Sequence, residues 1–275
     1  MRKVFIDGGA NVGQSIRAFY NNYPGAEEYE IHSFEAGQDP KILDPLMYTV
    51  EQHRDRVEGV EFYNKAMWTY DGTLTFFDKG TESSSVLYRD QFINNPNVIP
   101  KEVECVDISK WIKENFTKDD FIALKLDIEG AEYDVIKKMY DDGAIEYIDK
   151  FYIEIHGIKC GKTYKESLDL IRMVEDCGVP IYSWTADSYA HYGDRPYTEE
   201  LLKSNFAKWY VRFIDRLMAP DTTGHLPEEI DPEKLKEIVT FMVENDKEYA
   251  SVNRLGYSVR LTGRGLDIGP PQEEE

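Results

Sequence analysis

The residues best suited to chemistry near the start of the chain are the glycines and the asparagine of VFIDGGANVGQS, residues 4–15. An apolar run ending at Asp7 precedes them, and the helix-like segment VGQSIRAFY follows. A strand, a tight turn and a helix N-terminus in this order direct backbone N–H groups and the positive end of the helix dipole at a ligand. The sequence therefore predicts a ligand-binding loop here.

The glycine spacing leaves two cofactor types open. A dinucleotide fingerprint needs glycine at its first, third and sixth positions, and counting from Gly8 puts Ala10 third. The alternative frame, acidic-x-Gly-x-Gly-x-Gly, is associated with S-adenosylmethionine sites, and its residues here are Asp7, Gly9, Asn11 and Gly13. Asparagine tolerates a positive φ, so Asn11 can replace the middle glycine. Asp7 would then help to hold the cationic amino acid end of the cofactor.

A second candidate is Glu35, which ends the apolar run EIHSFEA. An acidic residue at the tip of the second strand can accept hydrogen bonds from both ribose hydroxyls of a nucleoside. This position suits a nicotinamide cofactor and S-adenosylmethionine equally, so it does not decide between them.

Acidic residues and a histidine follow two later apolar runs. Asp127, Glu129 and Glu132 lie within FIALKLDIEGAEYDVIKKM at a predicted strand-to-helix junction, and a helix N-terminus does not explain Asp127 at the strand tip. In FYIEIHG, Glu154 and His156 stand at i and i+2, on one face of a predicted strand. Because such strand ends share one edge of a parallel sheet, we expect general base or metal-ligand chemistry there.

The elements that must position these residues read as an α/β fold. Short apolar runs alternate with helix-like stretches up to about residue 157, which predicts a parallel sheet covered on both faces. The predicted sheet strands are Lys3–Ile6, Glu30–Phe34, Val60–Tyr63, Ala123–Leu126 and Phe151–Ile155. Extra strands are predicted at 73–77 and 102–106, with Asp107 as the N-cap of a following helix. Later segments predict helices over 164–178, 198–218 and 231–250, with strands in VPIYSW and YSVRLTG.

The amino-acid composition limits the kinds of binding partner that we expect for this protein. The 275 residues include 32 Lys+Arg against 52 Asp+Glu, a formal net charge of −20, so nucleic acid and anionic membranes are excluded as expected partners. The three cysteines lack metal-ligand or disulfide spacing, and no signal segment or run of about 18 apolar residues occurs. We expect a soluble, cytoplasmic protein with a small-molecule or glycan acceptor.

Taken together, the motifs resemble those of FkbM-type methyltransferases, a class I S-adenosylmethionine-dependent family. The resemblance covers roughly residues 3–157 and lies in VFIDGGANVGQS, FEA, NKAMW with DGTLTFF, VDISKWI, IALKLDIEGAEYDVI and FYIEIHG. It implies a Rossmann-like, mostly parallel sheet of about seven strands with helices on both faces and a helical C-terminal addition. It also implies O-methylation, commonly of a sugar or a polyketide.

The resemblance also implies site residues. The serine-containing stretch Ser83–Ser85 would border the active site, and the segment Asn64–Ala66 would lie near adenine. The cofactor-binding residues predicted on this basis are Asp7, Gly8, Gly9, Asn11, Gly13, Glu35, Ala36, Asn64, Ala66, Ser84 and Asp127. The predicted catalytic residues are His156, Asp127 and Glu154, with His156 either as general base or as a ligand, together with the other two, of Mg²⁺ or Mn²⁺.

The predicted organisation is a cofactor-binding core over 1–157, a segment over 158–268 that completes the sheet and caps the acceptor side, and a disordered acidic tail over 269–275. The leading hypothesis is an S-adenosylmethionine-dependent O-methyltransferase acting on a sugar or glycan hydroxyl. Two alternatives stay open: a nicotinamide-dependent sugar oxidoreductase or epimerase, and a Rossmann binding subunit without catalysis.

Overall fold

The computed structural model describes residues 1–79, 84–87, 97–157, 160–184, 194–218, 230–245, 247, 249–252, 257–262 and 265–269. The chain divides into two compact units, one formed by residues 1–156 with 170–197 and the other by residues 157–169 with 198–275. All but the first residue of the predicted tail, 269–275, lies outside the described residues.

The strands of the described residues, in chain order, are β1 (Lys3–Gly8), β2 (Tyr29–Phe34), β3 (Gly59–Tyr63), β4 (Ala66–Trp68), β5 (Gly72–Asp78), β6 (Ile99–Asp107), β7 (Phe121–Leu126), β8 (Lys150–Ile153), β9 (Ile181–Ser183), β10 (Tyr249–Val252), β11 (Tyr257–Thr262) and β12 (Gly265–Gly269). The α-helices are α1 (Gln14–Asn22), α2 (Pro40–His53), α3 (Ile108–Asn115), α4 (Glu132–Asp141), α5 (Tyr164–Asp176), α6 (Glu199–Leu217) and α7 (Pro232–Glu244). Single 3₁₀ turns form at Ala26–Glu28 and Ile145–Tyr147.

The first unit is built on a six-stranded sheet in the order β3-β2-β1-β7-β8-β9, and every neighbouring pair is parallel. Counted within the sheet, this is the doubly wound order 3-2-1-4-5-6, whose strand order reverses between β1 and β7. The α/β, Rossmann-like fold is therefore confirmed. Ligands bind such sheets at the carboxyl ends of the strands beside that reversal.

The sheet has six strands, whereas about seven were predicted. The later strands β10, β11 and β12 do not extend it but hydrogen-bond with one another in an antiparallel sheet of their own. Antiparallel neighbours need only short connections, and few residues separate these three strands in sequence, so they pair locally.

The segment between β3 and β7 forms a small sheet in the order β4-β6-β5, with β4 parallel and β5 antiparallel to β6. Both strands predicted in this segment are present as β5 and β6. Asp107 caps α3 as predicted, because its side chain accepts a hydrogen bond from the backbone N–H of Lys110 (3.0 Å).

The core of the first unit explains why its strands are almost wholly apolar. Val4, Phe5 and Ile6 of β1 are all fully buried, although they point alternately to opposite faces. Both faces of the sheet are therefore covered, as expected for a parallel sheet. On one face Phe5 stacks on Phe19 of α1, with ring centroids 4.1 Å apart.

The second unit combines α6 and α7 with the antiparallel β10-β11-β12 sheet. Apolar side chains recur along α6 and are buried at Leu202, Phe206, Tyr210 and Ile214. The hydroxyl of Tyr210 donates to the carbonyl oxygen of Thr262 at 2.9 Å, which ties α6 to β11. Among the described helices, none combines the length and the apolar character that crossing a membrane requires.

We predict that Phe19→Ala destabilises the protein by about 3–5 kcal/mol, because it removes a fully buried ring and leaves a cavity against Phe5. Tyr48→Ala, on α2 with 68% of the residue exposed, serves as the control and should change stability by less than about 0.5 kcal/mol. Urea unfolding of both variants checks this. Equal effects would show that Phe19 does not lie in a tightly packed core.

Candidate functional site

The candidate site begins where β1 and β7 lie side by side and the chain leaves each strand through a loop. The two loops touch backbone to backbone: a Cβ added at Gly9 would lie 1.9 Å from the carbonyl oxygen of Asp127. The N–H of Asp127 in turn donates to the carbonyl oxygen of Gly8 at 3.1 Å. Only glycine permits this approach, so the loop after β1 has its shape set by the loop after β7.

Two non-glycine residues of the described chain have a positive φ, Asn11 (47°) and Glu129 (57°). The left-handed backbone predicted for Asn11 is confirmed, and Gly9 and Gly13 on either side share it (77° and 80°). Glu129 was not expected to be strained. Such conformations are unfavourable for residues with a Cβ and persist where surrounding contacts hold them, often at functional sites.

A buried lysine fixes the glycine loop. Lys125 of β7 donates from Nζ to the carbonyl oxygens of Gly8 (3.0 Å) and Gly9 (2.7 Å). The same ammonium lies 3.2 Å from Oδ1 of Asp7 and 3.6 Å from Oδ2 of Asp127, and both Lys125 and Asp7 are fully buried. Asp7 also accepts a hydrogen bond from the Ser15 hydroxyl at 2.6 Å. The carboxylate of Asp7 therefore faces the protein's own donors.

Glu35, at the end of β2, holds the other side of the loop. Its Oε2 accepts from the backbone N–H of Asn11 (2.8 Å) and its Oε1 from that of Gly37 (2.6 Å). Burial raises the pKa of Glu35 above its ordinary value, and these two backbone hydrogen bonds oppose the rise. Asn64 donates to the carbonyl oxygens of Glu35 (2.8 Å) and Gly37 (3.1 Å), while Ala36 packs against the cluster that contains Ala66. The residues predicted near the adenosine thus lie together.

At the ends of β7 and β8, four carboxylates surround the imidazole of His156, which is 2% exposed. Its Nδ1 lies 2.9 Å from Oε1 of Glu132. From its Nε2, the distances to carboxylate oxygens are 3.4 Å for Glu129, 3.5 Å for Glu154 and 3.8 Å for Asp127. This Nε2 is buried without a hydrogen-bond partner in the described structure. The predicted catalytic residues are therefore brought together, and Glu129 and Glu132 join them.

The predicted strand over Phe151–Ile155 is two residues too long. β8 ends at Ile153, so Glu154 and His156 follow the strand instead of lying on it. Register explains the early end, because Ile153 pairs with the last residues of both neighbours, Leu126 of β7 and Ser183 of β9. Within the part of the chain that the structure describes, neither neighbouring strand continues beyond that point.

The carboxylate of Glu132 is fixed by backbone hydrogen bonds. It is fully buried in the first turn of α4, where its Oε1 accepts from the N–H of Ile128 (2.9 Å) and its Oε2 from that of Gly130 (2.8 Å). These bonds close the loop after β7 over the helix N-terminus. With this acceptor fixed opposite it, the Nδ1–H of His156 donates to Glu132, and Nε2 faces the other carboxylates.

The electrostatics of the cluster match its geometry. Burial, together with the nearby Glu154 and Glu129, raises the pKa of Asp127 to about 6, although Lys125 and His156 oppose the rise. For His156, burial acts to lower the pKa, but the surrounding carboxylates, Glu132 first, raise it well above its ordinary value. The neighbouring carboxylates contribute to both shifts, so the site holds an excess of negative charge that favours a positive one.

The serine stretch reaches the same loop. Ser85 donates from its hydroxyl to the carbonyl oxygen of Glu129 at 2.8 Å, so it supports the strained residue directly. Ser84, the serine predicted to bind the cofactor, accepts from the N–H of Lys79 (2.9 Å) and lies 3.4 Å from a carboxylate oxygen of Asp78. Ser83 lies outside the described residues.

A family model, described as the methyltransferase FkbM domain, matches residues 7–180, which is more than half of the chain. The chain belongs to this family. The match begins at Asp7 and includes the glycine loop, Glu35 and the whole His156 cluster. It favours a methyltransferase over the nicotinamide-dependent enzyme that the glycine spacing had left open.

Among solved structures, the FkbM-family chain is similar to the methyltransferase FkbM from Methylobacillus flagellatus, with 17% identity and a TM-score of 0.33. The similarity covers 51% of this chain and 30% of the other, so the chain spans less than a third of that protein's length. None of the curated proteins matches the chain.

The sequence prediction of site residues omits Lys125 of this FkbM-family chain. It notes Glu129 and Glu132 as acidic residues at the strand-to-helix junction but assigns neither of them a catalytic, cofactor-binding or metal-binding role. Lys125 carried a signal, because a charged residue inside the apolar run IALKL must find partners if the run is a buried central strand. Glu132 carried a weaker one. An acidic residue in a first helical turn is common, and only the tertiary fold shows that it reaches His156.

We predict that Lys125→Met destabilises the protein by about 3–5 kcal/mol, because it leaves the buried carboxylate of Asp7 without its cation. Adding Asp7→Asn should restore part of that loss, since the double variant no longer buries an unpaired charge. Urea unfolding of the single and double variants measures the coupling. Lys137→Met, at an exposed position, is the control, and strict additivity of the two buried substitutions would show that Lys125 and Asp7 do not interact.

Proposed function

We propose that this FkbM-family chain transfers the methyl group of S-adenosylmethionine to a hydroxyl of a sugar or glycan. The observation that carries the proposal is the arrangement at the strand reversal. A glycine loop and Glu35 lie beside β1, and a buried imidazole ringed by carboxylates lies beside β7. A nucleoside site and an acid–base site at neighbouring strand ends are what a two-substrate transfer needs.

The cofactor half has a shape that suits S-adenosylmethionine. When bound, this cofactor supplies an electrophilic methyl group on a positively charged sulfur. Positive φ at residues 9, 11 and 13 makes the loop a tight turn, and each Glu35 oxygen accepts one backbone N–H while keeping a lone pair for a ribose hydroxyl. Asp7 would contribute through the loop that it stabilises, because its own oxygens face Ser15 and Lys125.

The part of the site that would bind the acceptor contains a general base, His156. A sugar hydroxyl is a weak nucleophile, so its proton must leave as the new oxygen–carbon bond forms and the sulfur–carbon bond breaks. Nε2 of His156 would take that proton, with Glu132 holding the ring in place through Nδ1. Asp127 and Glu154 lie within 4 Å of the same nitrogen and would stabilise the imidazolium that forms.

The charge of the chain supports a neutral acceptor. With a net charge of −20, the protein repels phosphate backbones and anionic lipid headgroups, so we propose neither nucleic acid nor membrane as a partner.

We predict methyl transfer from labelled S-adenosylmethionine when the purified chain is screened against a panel of free sugars and glycans. Small phenols and amines belong in the same panel as other acceptor classes. His156→Gln should lose at least about 100-fold in turnover while still binding the cofactor, because it removes a general base whose contribution is typically ~10²–10⁴-fold. A wild-type chain that binds the cofactor yet labels only amines would contradict O-methylation.

We predict that Glu35→Ala weakens S-adenosylmethionine binding by about 1–3 kcal/mol, because it removes the acceptor for the ribose hydroxyls and for the N–H of Asn11. Calorimetric titration of the cofactor measures this. The matched control is Glu61→Ala, an exposed glutamate of β3, which should leave the dissociation constant unchanged. Equal affinities in all three proteins would remove Glu35 from the cofactor site.

A further inference from the structure

We infer that Asp127, Glu129 and His156 form a binding site for one divalent cation, with Mn²⁺ or Mg²⁺ as the fitting metals. Each residue offers one ligand atom, and the three atoms lie within 4.8 Å of one another. This set differs from the one predicted from sequence, since Glu129 replaces Glu154. The latter has a side chain 41% exposed, whereas Glu129 has one 13% exposed.

The orientation of His156 is an observation independent of the acidic cluster. The imidazole is almost completely buried, and its Nε2 has no hydrogen-bond partner although it points at carboxylate oxygens 3.4–3.8 Å away. Buried polar nitrogens are normally satisfied, and an imidazole nitrogen without a hydrogen-bond partner beside carboxylate oxygens is placed to bind a cation. A cation bound between the ring and the carboxylates satisfies both.

Glu132 completes the arrangement from the far side of the ring. A histidine that binds a metal through one nitrogen usually donates the other N–H to a carboxylate, which fixes the ring and strengthens it as a ligand. Nδ1 of His156 makes this contact with Glu132 at 2.9 Å. Because the Glu132 oxygens also accept from Ile128 and Gly130, this carboxylate orients the histidine and is not itself a ligand.

The strained backbone at Glu129 also helps to form the cation site. A φ of 57° is costly for glutamate, yet Ser85 holds the carbonyl oxygen of this residue and the conformation brings its carboxylate to 3.4 Å from Nε2 of His156. Glycine would relieve the strain but would remove the carboxylate. Glutamate at this position therefore supplies a metal ligand and tolerates an unfavourable backbone conformation.

The charges and ligand types indicate the metal. Lys125 lies 3.6 Å from Asp127, but it also faces Asp7, so it does not neutralise the cluster around His156. Two carboxylate oxygens and one imidazole nitrogen suit a hard divalent ion, and the nitrogen favours Mn²⁺ over Mg²⁺. Three protein ligands leave further coordination positions for water or an acceptor oxygen. A catalytic use of the ion rests on the proposed function, whereas binding itself does not. With Nε2 bound to the ion, His156 would act as a ligand and not as the base, and the ion would assist loss of the acceptor proton by lowering the pKa of a coordinated hydroxyl.

The test is a Mn²⁺ titration of the full chain after EDTA treatment and removal of the chelator, without S-adenosylmethionine or acceptor. Electron paramagnetic resonance of free Mn²⁺ gives the stoichiometry and dissociation constant, and we expect one ion per chain. Glu129→Gln and Glu132→Gln, which keep side-chain shape, should each weaken binding by about 10–100-fold. Glu58→Gln, an exposed glutamate with the same change of charge, should bind as the wild type does.

A Mn²⁺-dependent rise in the melting temperature, present in the wild type and the Glu58→Gln control and absent in Glu129→Gln, would support the same site. No stoichiometric binding by the wild type at millimolar Mn²⁺, or equal affinity in Glu129→Gln and the control, would overturn the inference. Stoichiometric binding without any methyl transfer would leave the site standing and count against the proposed function. Full methyl transfer by an EDTA-treated chain that binds no Mn²⁺ would support the proposed function and count against the metal site.

Discussion

The candidate site depends on one buried ammonium group, that of Lys125. It lies at the strand reversal, donates to the carbonyl oxygens of Gly8 and Gly9, and faces the carboxylates of Asp7 and Asp127. A lysine buried in a central strand is stable only with such compensation. These compensating groups lie at the end of β1 and in the loops that follow β1 and β7, so the interactions that stabilise the buried charge also fix the shape of the loops.

Asp127 connects the two halves of the site. One of its oxygens lies 3.6 Å from Lys125, on the glycine-loop side, and the other lies 3.8 Å from Nε2 of His156, on the carboxylate side. Its carbonyl oxygen leaves no room for a Cβ at Gly9. Any shift of the loop after β7 would therefore be felt both where the cofactor is proposed to bind and where the acceptor proton is proposed to leave. The geometry couples the two half-sites through a single residue.

The sequence predicts the main sheet because its strands are long apolar runs buried on both faces. It predicts that Asp127, Glu154 and His156 converge because parallel strands end at one edge. It does not predict β4, whose three residues are too few to show a period, or the pairing of β10 with β11 and β12. The sequence also does not predict the contact between Glu132 and His156. Acidic residues in first helical turns are common, and this one reaches His156 only through the fold of the loop after β7. Periodicity reports which face a residue takes, and it does not report contacts between loops.

The two strained residues show how the site balances stability against chemistry. Asn11 and Glu129 both have left-handed backbones that glycine would adopt at lower energy. At Asn11 the left-handed conformation places the backbone N–H where it donates a hydrogen bond to Glu35. At Glu129 it places the side-chain carboxylate next to the unpartnered Nε2 of His156, which glycine could not do. Local conformational preference is therefore overridden only where a contact with Glu35 or His156 requires it. This is the pattern expected when strain is retained for binding and is not an accident of folding.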